Sequence, residues 1–287
     1  TLEDSEAPHG SHSSPIDVVD PTEDPPPEPD PDPTKIFNLD EVHQVEITLG
    51  RDEENSLSYN PFTWVQAELS FDGQSFSNVG VRIKGRLGSL RDLSGKCAWK
   101  VDLQQFGTQA RLEGIQSFAL GNMVQDNAFT HQVAAYAIYR AVGVPVPHVG
   151  YAWVKVNGAD YGLYILTEEY DDEFLDANYP DPSGNLYDGD YVWWPDGSYT
   201  LLDLYTDYID LFEQDEGEVT DRTDLVHTIA ALDNEEPLGQ VVDMEQIARM
   251  WAVDAWIGHW DSYSYNWNNY RIYMDPTDGK ADLLPWD

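Results

Sequence analysis

The chain has 287 residues, with 53 Asp and Glu against 15 Lys and Arg, giving a formal net charge of −38. Such a charge argues against a direct grip on nucleic acid or an anionic membrane and favours divalent cations or basic partners. One cysteine, Cys97, excludes an internal disulfide and a Cys-based zinc site. No apolar run reaches the roughly 18 residues a membrane span needs.

The first 34 residues hold nine of the eighteen prolines, ten acidic residues, no Lys or Arg and no Phe, Tyr or Trp. A stretch such as Pro25-Pro26-Pro27-Glu28-Pro29 cannot build a core. It predicts an extended, self-repelling tether over residues 1–35, of the kind that follows an export signal or lipid anchor. The chain starts at Thr1 without Met, which predicts an upstream segment that has been removed. The location expected on these grounds is extracellular or the cell envelope.

Residues 45–49 alternate as a strand does. Residues 63–71 and 76–83 flank Asp72-Gly73 and predict a hairpin. Strands follow over 97–103 and 115–120. A helix begins near Asp126 as N-cap, with Phe129, Val133 and Tyr136 on its apolar side and a stop at Gly143. Residues 151–156 and 161–166 flank Asn157-Gly158 and predict a second hairpin. A short helix over 171–177 comes next, then an acidic loop, Asp181–Asp190, whose oxygens offer a Ca²⁺ site without EF-hand spacing. Residues 223–232 predict a helix. A stronger one starts at Asp243, with Gln246 placed for a capping box and Met244, Ile247, Met250, Trp251, Ile257 and Trp260 making it a core helix.

That helix delivers the chain into His259-Trp260-Asp261, with Asn266 five residues beyond Asp261 and Pro285-Trp286-Asp287 downstream. Protein kinases use the H-x-D-x4-N spacing to set a catalytic base beside a metal-binding Asn, with a second Asp completing the metal site. Lys and Arg are scarce, yet Arg82, Lys84, Arg86, Arg91, Lys96 and Lys100 gather within nineteen residues. Clustered cations in so anionic a chain point to phosphate.

Val79-Gly80-Val81-Arg82-Ile83-Lys84-Gly85, the strand from Lys96, Gly143-Val144-Pro145, the run Val154–Tyr164, Gly184-Asn185-Leu186-Tyr187, and Asn269–Tyr273 through Pro285-Trp286-Asp287 occur in that order. Together they resemble the spore-coat CotH kinase family of atypical, secreted-type protein kinases over about residues 40–287. The resemblance implies an α+β, protein-kinase-like fold of two lobes. A small lobe over 36–168 would hold an antiparallel sheet plus a helix, and a mainly helical large lobe over 169–287 would be cut short where the family pattern runs on past Pro-Trp-Asp. It implies Asp261 as catalytic base, Lys84, Lys100 and Arg82 facing the phosphates, and Asp287 as metal ligand. Asn266 and Asn269 both stand as the metal-binding Asn. ATP with Mg²⁺ or Mn²⁺ would phosphorylate Ser or Thr of a secreted or surface protein. A non-catalytic envelope or matrix interaction module and an acidic calcium-binding surface domain are the alternatives, and oligomeric state stays open.

Overall fold

A computed structural model describes residues 32–189, 191–234 and 237–286. The tether expected over residues 1–35 lies, up to residue 31, outside the described residues, and so does Asp287. Strand β1 (Val42–Thr48) leads into helix α1 (Arg51–Tyr59), then into the hairpin β2 (Val65–Phe71) and β3 (Gln74–Lys84). Strands β4 (Ala98–Asp102) and β5 (Ser117–Gly121) follow, then α2 (His131–Ala141) and the hairpin β6 (Val149–Val156) and β7 (Ala159–Glu168). The order β1-β2-β3-β4-β5-β7-β6 closes on itself as a barrel. Its seam is the parallel pair β1·β6, Val45 opposite Val154.

Alternation explains the barrel. Along β1 the residues alternate exposed and buried, and Val45 and Ile47 point inward. Val81 and Ile83 of β3 with Trp99 and Val101 of β4 fill the same interior. Their neighbours Arg82, Lys84 and Lys100 consequently share the outer face. Asp72-Gly73 and Asn157-Gly158 make both hairpin turns, and all four residues have positive φ.

The C-terminal half holds α3 (Asp172–Asn178), β8 (Leu186–Asp188), a small hairpin β9 (Val192–Trp193) and β10 (Tyr199–Thr200), and β11 (Glu213–Glu216). Helices α4 (Thr223–Asp233), α5 (Met244–Ile257) and α6 (Tyr263–Asn266) precede strands β12 (Tyr270–Asp275) and β13 (Lys280–Pro285). A four-stranded sheet, β11-β8-β12-β13, backs this half. It packs with α2, α4 and α5 around Tyr139, Leu225, Met250, Ile272 and Leu283.

The expected two-lobed, kinase-like fold with a mainly helical large lobe is overturned. The N-terminal sheet is a closed seven-stranded barrel. The described residues contain six α-helices, the longest of 14 residues, and the C-terminal half is built on a four-stranded β-sheet as well as helices. No helix among the described residues is long and apolar enough to cross a membrane.

Local expectations are corrected too. Helix α2 starts at His131, not near Asp126. Asp126 instead accepts the backbone N–H groups of Ala128 and His131, and Phe129 sits in a left-handed turn. Asp243 caps α5 through the N–H groups of Glu245 and Gln246, but the Gln246 amide does not reach back. It brackets Leu283 instead, donating to its carbonyl and accepting from its N–H. Helix α5 is apolar on two sides but buried on one: Ile247 and Met250 are core, while Met244, Trp251 and Trp260 are 41, 42 and 73% exposed.

Candidate functional site

Helix α5 ends at Gly258, whose φ of 72° turns the chain out of the helix. The backbone carbonyl of Asp254 accepts the N–H of His259 at 2.9 Å. The Asp254 carboxylate is wholly buried and accepts the Tyr139 hydroxyl at 2.5 Å and the Ser264 hydroxyl at 2.8 Å. Burial and this carboxylate push the Tyr139 phenol well above its ordinary range. His259 Nδ1 lies 3.4 Å from the same phenol. His259, Asp254 and Tyr139 thus brace the segment that follows.

That segment presents Asp261, half-buried, to three amides. Asn266 Nδ2 donates to Asp261 Oδ1 at 2.5 Å, and Asn268 Nδ2 and Asn269 Nδ2 donate to Oδ2 at 3.1 and 3.4 Å. Trp267 and Asn269 are held at φ 49° and 50°. The left-handed region is uncommon for so bulky a residue as Trp, and such strain collects at functional sites. Asn268 is 5% exposed, and its Oδ1 has no hydrogen-bond partner among the described residues.

The cations gather on the barrel wall. Arg82 and Lys100 are directly opposite on β3 and β4, and Lys84 lies two residues from Arg82 on the same face. Like charges in direct register repel unless an anion lies among them. Glu169 is that anion. It is buried, and its carboxylate is 3.2 Å from Lys100 Nζ. Burial alone would raise its carboxyl, but Lys100, Lys84 and Arg271 outweigh burial and hold it below the usual range. Lys100 is raised in turn by Glu169. Arg82 lies over Trp64 at 5.2 Å; burial lowers its pKa, and its buried Nε has no acceptor among the described residues.

Trp286 joins the two regions. Its backbone N–H donates to Asn269 O at 2.9 Å. Its ring lies 4.7 Å from Lys84 Nζ and 5.5 Å from the Arg271 guanidinium. Arg271 on β12 stands opposite Asp188 on β8 and bridges Asp188 at 2.5 Å and Asp215 at 3.2 Å. The structure therefore brings Asp261, Asn266 and Asn269 together directly. It joins them through one residue to Lys84, and through Glu169 to Arg82 and Lys100.

Asn268, Glu169 and Arg271 escaped the sequence reading. Strand alternation offered the signal for Glu169. Glu168, last in β7, bonds His148 at 2.8 Å, so the next carboxylate points the other way, toward the cations. In the acidic loop, Asp181 closes a turn on Ser183 and Asp188 serves Arg271.

Three further carboxylates, Asp171, Glu216 and Asp282, are buried or half-buried. Burial raises Asp171 to about 8, Glu216 to about 7 and Asp282 to about 7. Their unfolded values lie near 4. The stability they contribute is therefore complete below about pH 4 and is lost as pH rises through about 7 to 8. The melting temperature should be roughly 5 °C or more higher at pH 5.5 than at pH 8. Asp282→Asn should flatten that profile. A melting temperature that rises with pH across this window would show that these groups do not hold their protons in the folded state.

A family model described as "CotH kinase protein" matches residues 81–287. Inner spore coat protein H of Bacillus subtilis (strain 168) is 20% identical over 185 residues, 61% of this chain and 49% of the relative. The chain spans about half the length of that curated relative.

Proposed function

This chain belongs to the CotH kinase protein family, and on that footing we propose that it is a metal-dependent protein kinase that moves the γ-phosphoryl group of ATP to Ser or Thr hydroxyls of secreted or surface proteins. The spore-coat relative supports a coat or surface location. The observation that carries the reading is the Asp261 cluster, joined by Trp286 to a cationic wall. The proposal needs no two-lobed fold, because chemistry resides in the site.

A carboxylate has about four acceptor positions. The three amides leave Asp261 one for an incoming hydroxyl. In the proposed step the acceptor oxygen bonds the γ-phosphorus as the bond to the β–γ bridging oxygen breaks. The hydroxyl proton passes to Asp261, and ADP leaves. Lys84 and Arg82 hold the phosphates, and the Arg82 Nε, a buried donor without an acceptor among the described residues, fits an anion. The cation that accompanies ATP neutralises phosphate charge, and the hard amide oxygens of the Asn266–Asn269 run suit it.

Titration calorimetry with ATP and Mn²⁺, beside radiolabelled transfer to a Ser-rich protein, tests the proposal. Binding and transfer are expected. Lys84→Ala should weaken ATP binding by about tenfold or more, the worth of one charge-assisted contact. Unchanged affinity would remove Lys84 from the site. Absence of both binding and transfer in the native chain would overturn the proposal. Binding without transfer would favour the non-catalytic interaction module.

A further inference from the structure

Asn268 differs from its two neighbours in the cluster. It is buried, whereas Asn266 and Asn269 are only partly so. Its Nδ2 donates to Asp261 Oδ2 at 3.1 Å. That bond fixes which way the amide faces, since the flipped amide would set its oxygen against a carboxylate oxygen. The orientation leaves Oδ1 buried with no donor among the described residues, and neither Asn266 nor Asn269 has such an atom. Burying an amide oxygen unpaired costs free energy, and native structures rarely keep one without a use. The flanking residues Trp267 and Asn269 are both left-handed, so the backbone is bent on either side of this one buried side chain. An unpaired amide oxygen is a hard neutral donor of the kind a divalent cation such as Mg²⁺ or Mn²⁺ takes.

We infer that Asn268, through Oδ1, is the asparagine that ligates the divalent cation accompanying ATP, and that Asn266 and Asn269 serve to orient Asp261. The inference rests on the phosphoryl-transfer reading of the same site. It departs from kinase spacing, which selects Asn266, and from the strand motif, which selects Asn269.

The test uses Mn²⁺ as the probe and the full chain. Electron paramagnetic resonance of free Mn²⁺, with and without ATP, gives affinities for the native chain, Asn268→Ala, Asn268→Asp, Asn266→Ala and Asn269→Ala. Circular dichroism checks that each is folded. Any weak Mn²⁺ binding elsewhere on the acidic surface should be common to all five, so the ATP-dependent site is the one compared. Asn268→Ala should lose at least about tenfold in affinity, and the other two Ala variants less than about threefold. Asn268→Asp sets a second carboxylate beside Asp261 and should melt below the native chain in EDTA. With Mn²⁺ and ATP its melting temperature should rise by more than the native chain's does, because a cation held by the new carboxylate offsets the repulsion. This second variant decides the matter even if Asn268→Ala fails to fold.

Should Asn268→Asp melt low with or without Mn²⁺, or Asn268→Ala bind Mn²⁺·ATP as the native chain does, Asn268 is only a structural brace and the inference is lost while the kinase reading stands. A native chain that binds neither Mn²⁺·ATP nor ATP overturns both.

Discussion

If the chain is the kinase proposed, replacing Asp261 by Asn should lower phosphoryl transfer by at least about 100-fold, the worth of a positioned base, while ATP affinity should change little. Asn keeps the size of Asp but cannot take a hydroxyl proton. It also turns one acceptor oxygen into a donor that meets Asn266 or the Asn268 and Asn269 pair. At least one amide then loses its acceptor, at about 1–3 kcal/mol each. The melting temperature should therefore fall by several degrees, and this loss must be separated from the chemistry. ATP titration on the folded variant at a temperature well below its transition makes the separation. Asn266→Ala provides the control, because it loosens the cluster and leaves the carboxylate. Transfer at the native rate in Asp261→Asn would show that another group takes the proton.

The second large effect belongs to Glu169. Its carboxylate is 7% exposed and faces Lys100, itself 29% exposed. Arg82 and Lys84 stand on the same wall. Removing one partner of a buried pair typically costs about 3–5 kcal/mol, because the other charge stays behind unmatched. Here several cations lose one anion. Glu169→Gln should thus lower the melting temperature by roughly 10 °C. ATP should restore more of that loss in the variant than it adds to the native protein, because its phosphates replace the missing charge. A Glu169→Gln, Lys100→Met double variant should recover much of the stability and lose the response to ATP. If Glu169→Gln melts like the native chain, the cations are held apart by solvent, and Glu169 does not organise them.

The hairpins were legible because their turns announce themselves: Asp72-Gly73 and Asn157-Gly158 fix both register and twist. Helix α1 was not, since Leu57 is its one buried side chain and apolar periodicity has nothing to report. Closure of the barrel was not legible either. Alternation says which residues face inward, but the pairing of Val45 with Val154 is set by sheet twist and by what each edge lacks. Two hairpins and a helix in order fit an open sheet equally well, so the order of elements could not contradict the kinase-like architecture that the family resemblance implies. Trp251 and Trp260 misled for a related reason: an aromatic at helical spacing reads as core wherever it points. In the site, the cations stood out by their scarcity. Glu169 was hidden among 53 acidic residues. Asn268 was hidden by a spacing template that tests a single offset.

The parallel seam of the barrel has a consequence for how the chain is made. Strand β1 finds its partner β6 only after residue 156 has been synthesised. At about 5–20 residues per second, that leaves the seam edge of β1 unpaired for roughly 5–20 s on the ribosome. The β2–β3 hairpin can form within that interval, since it depends on neighbours alone, but the barrel cannot shut. Val45 and Ile47 meanwhile offer an apolar strand to any passing chain. Nascent copies of so anionic a chain repel one another, and that mutual repulsion keeps the waiting edge from finding the wrong partner before the right one emerges.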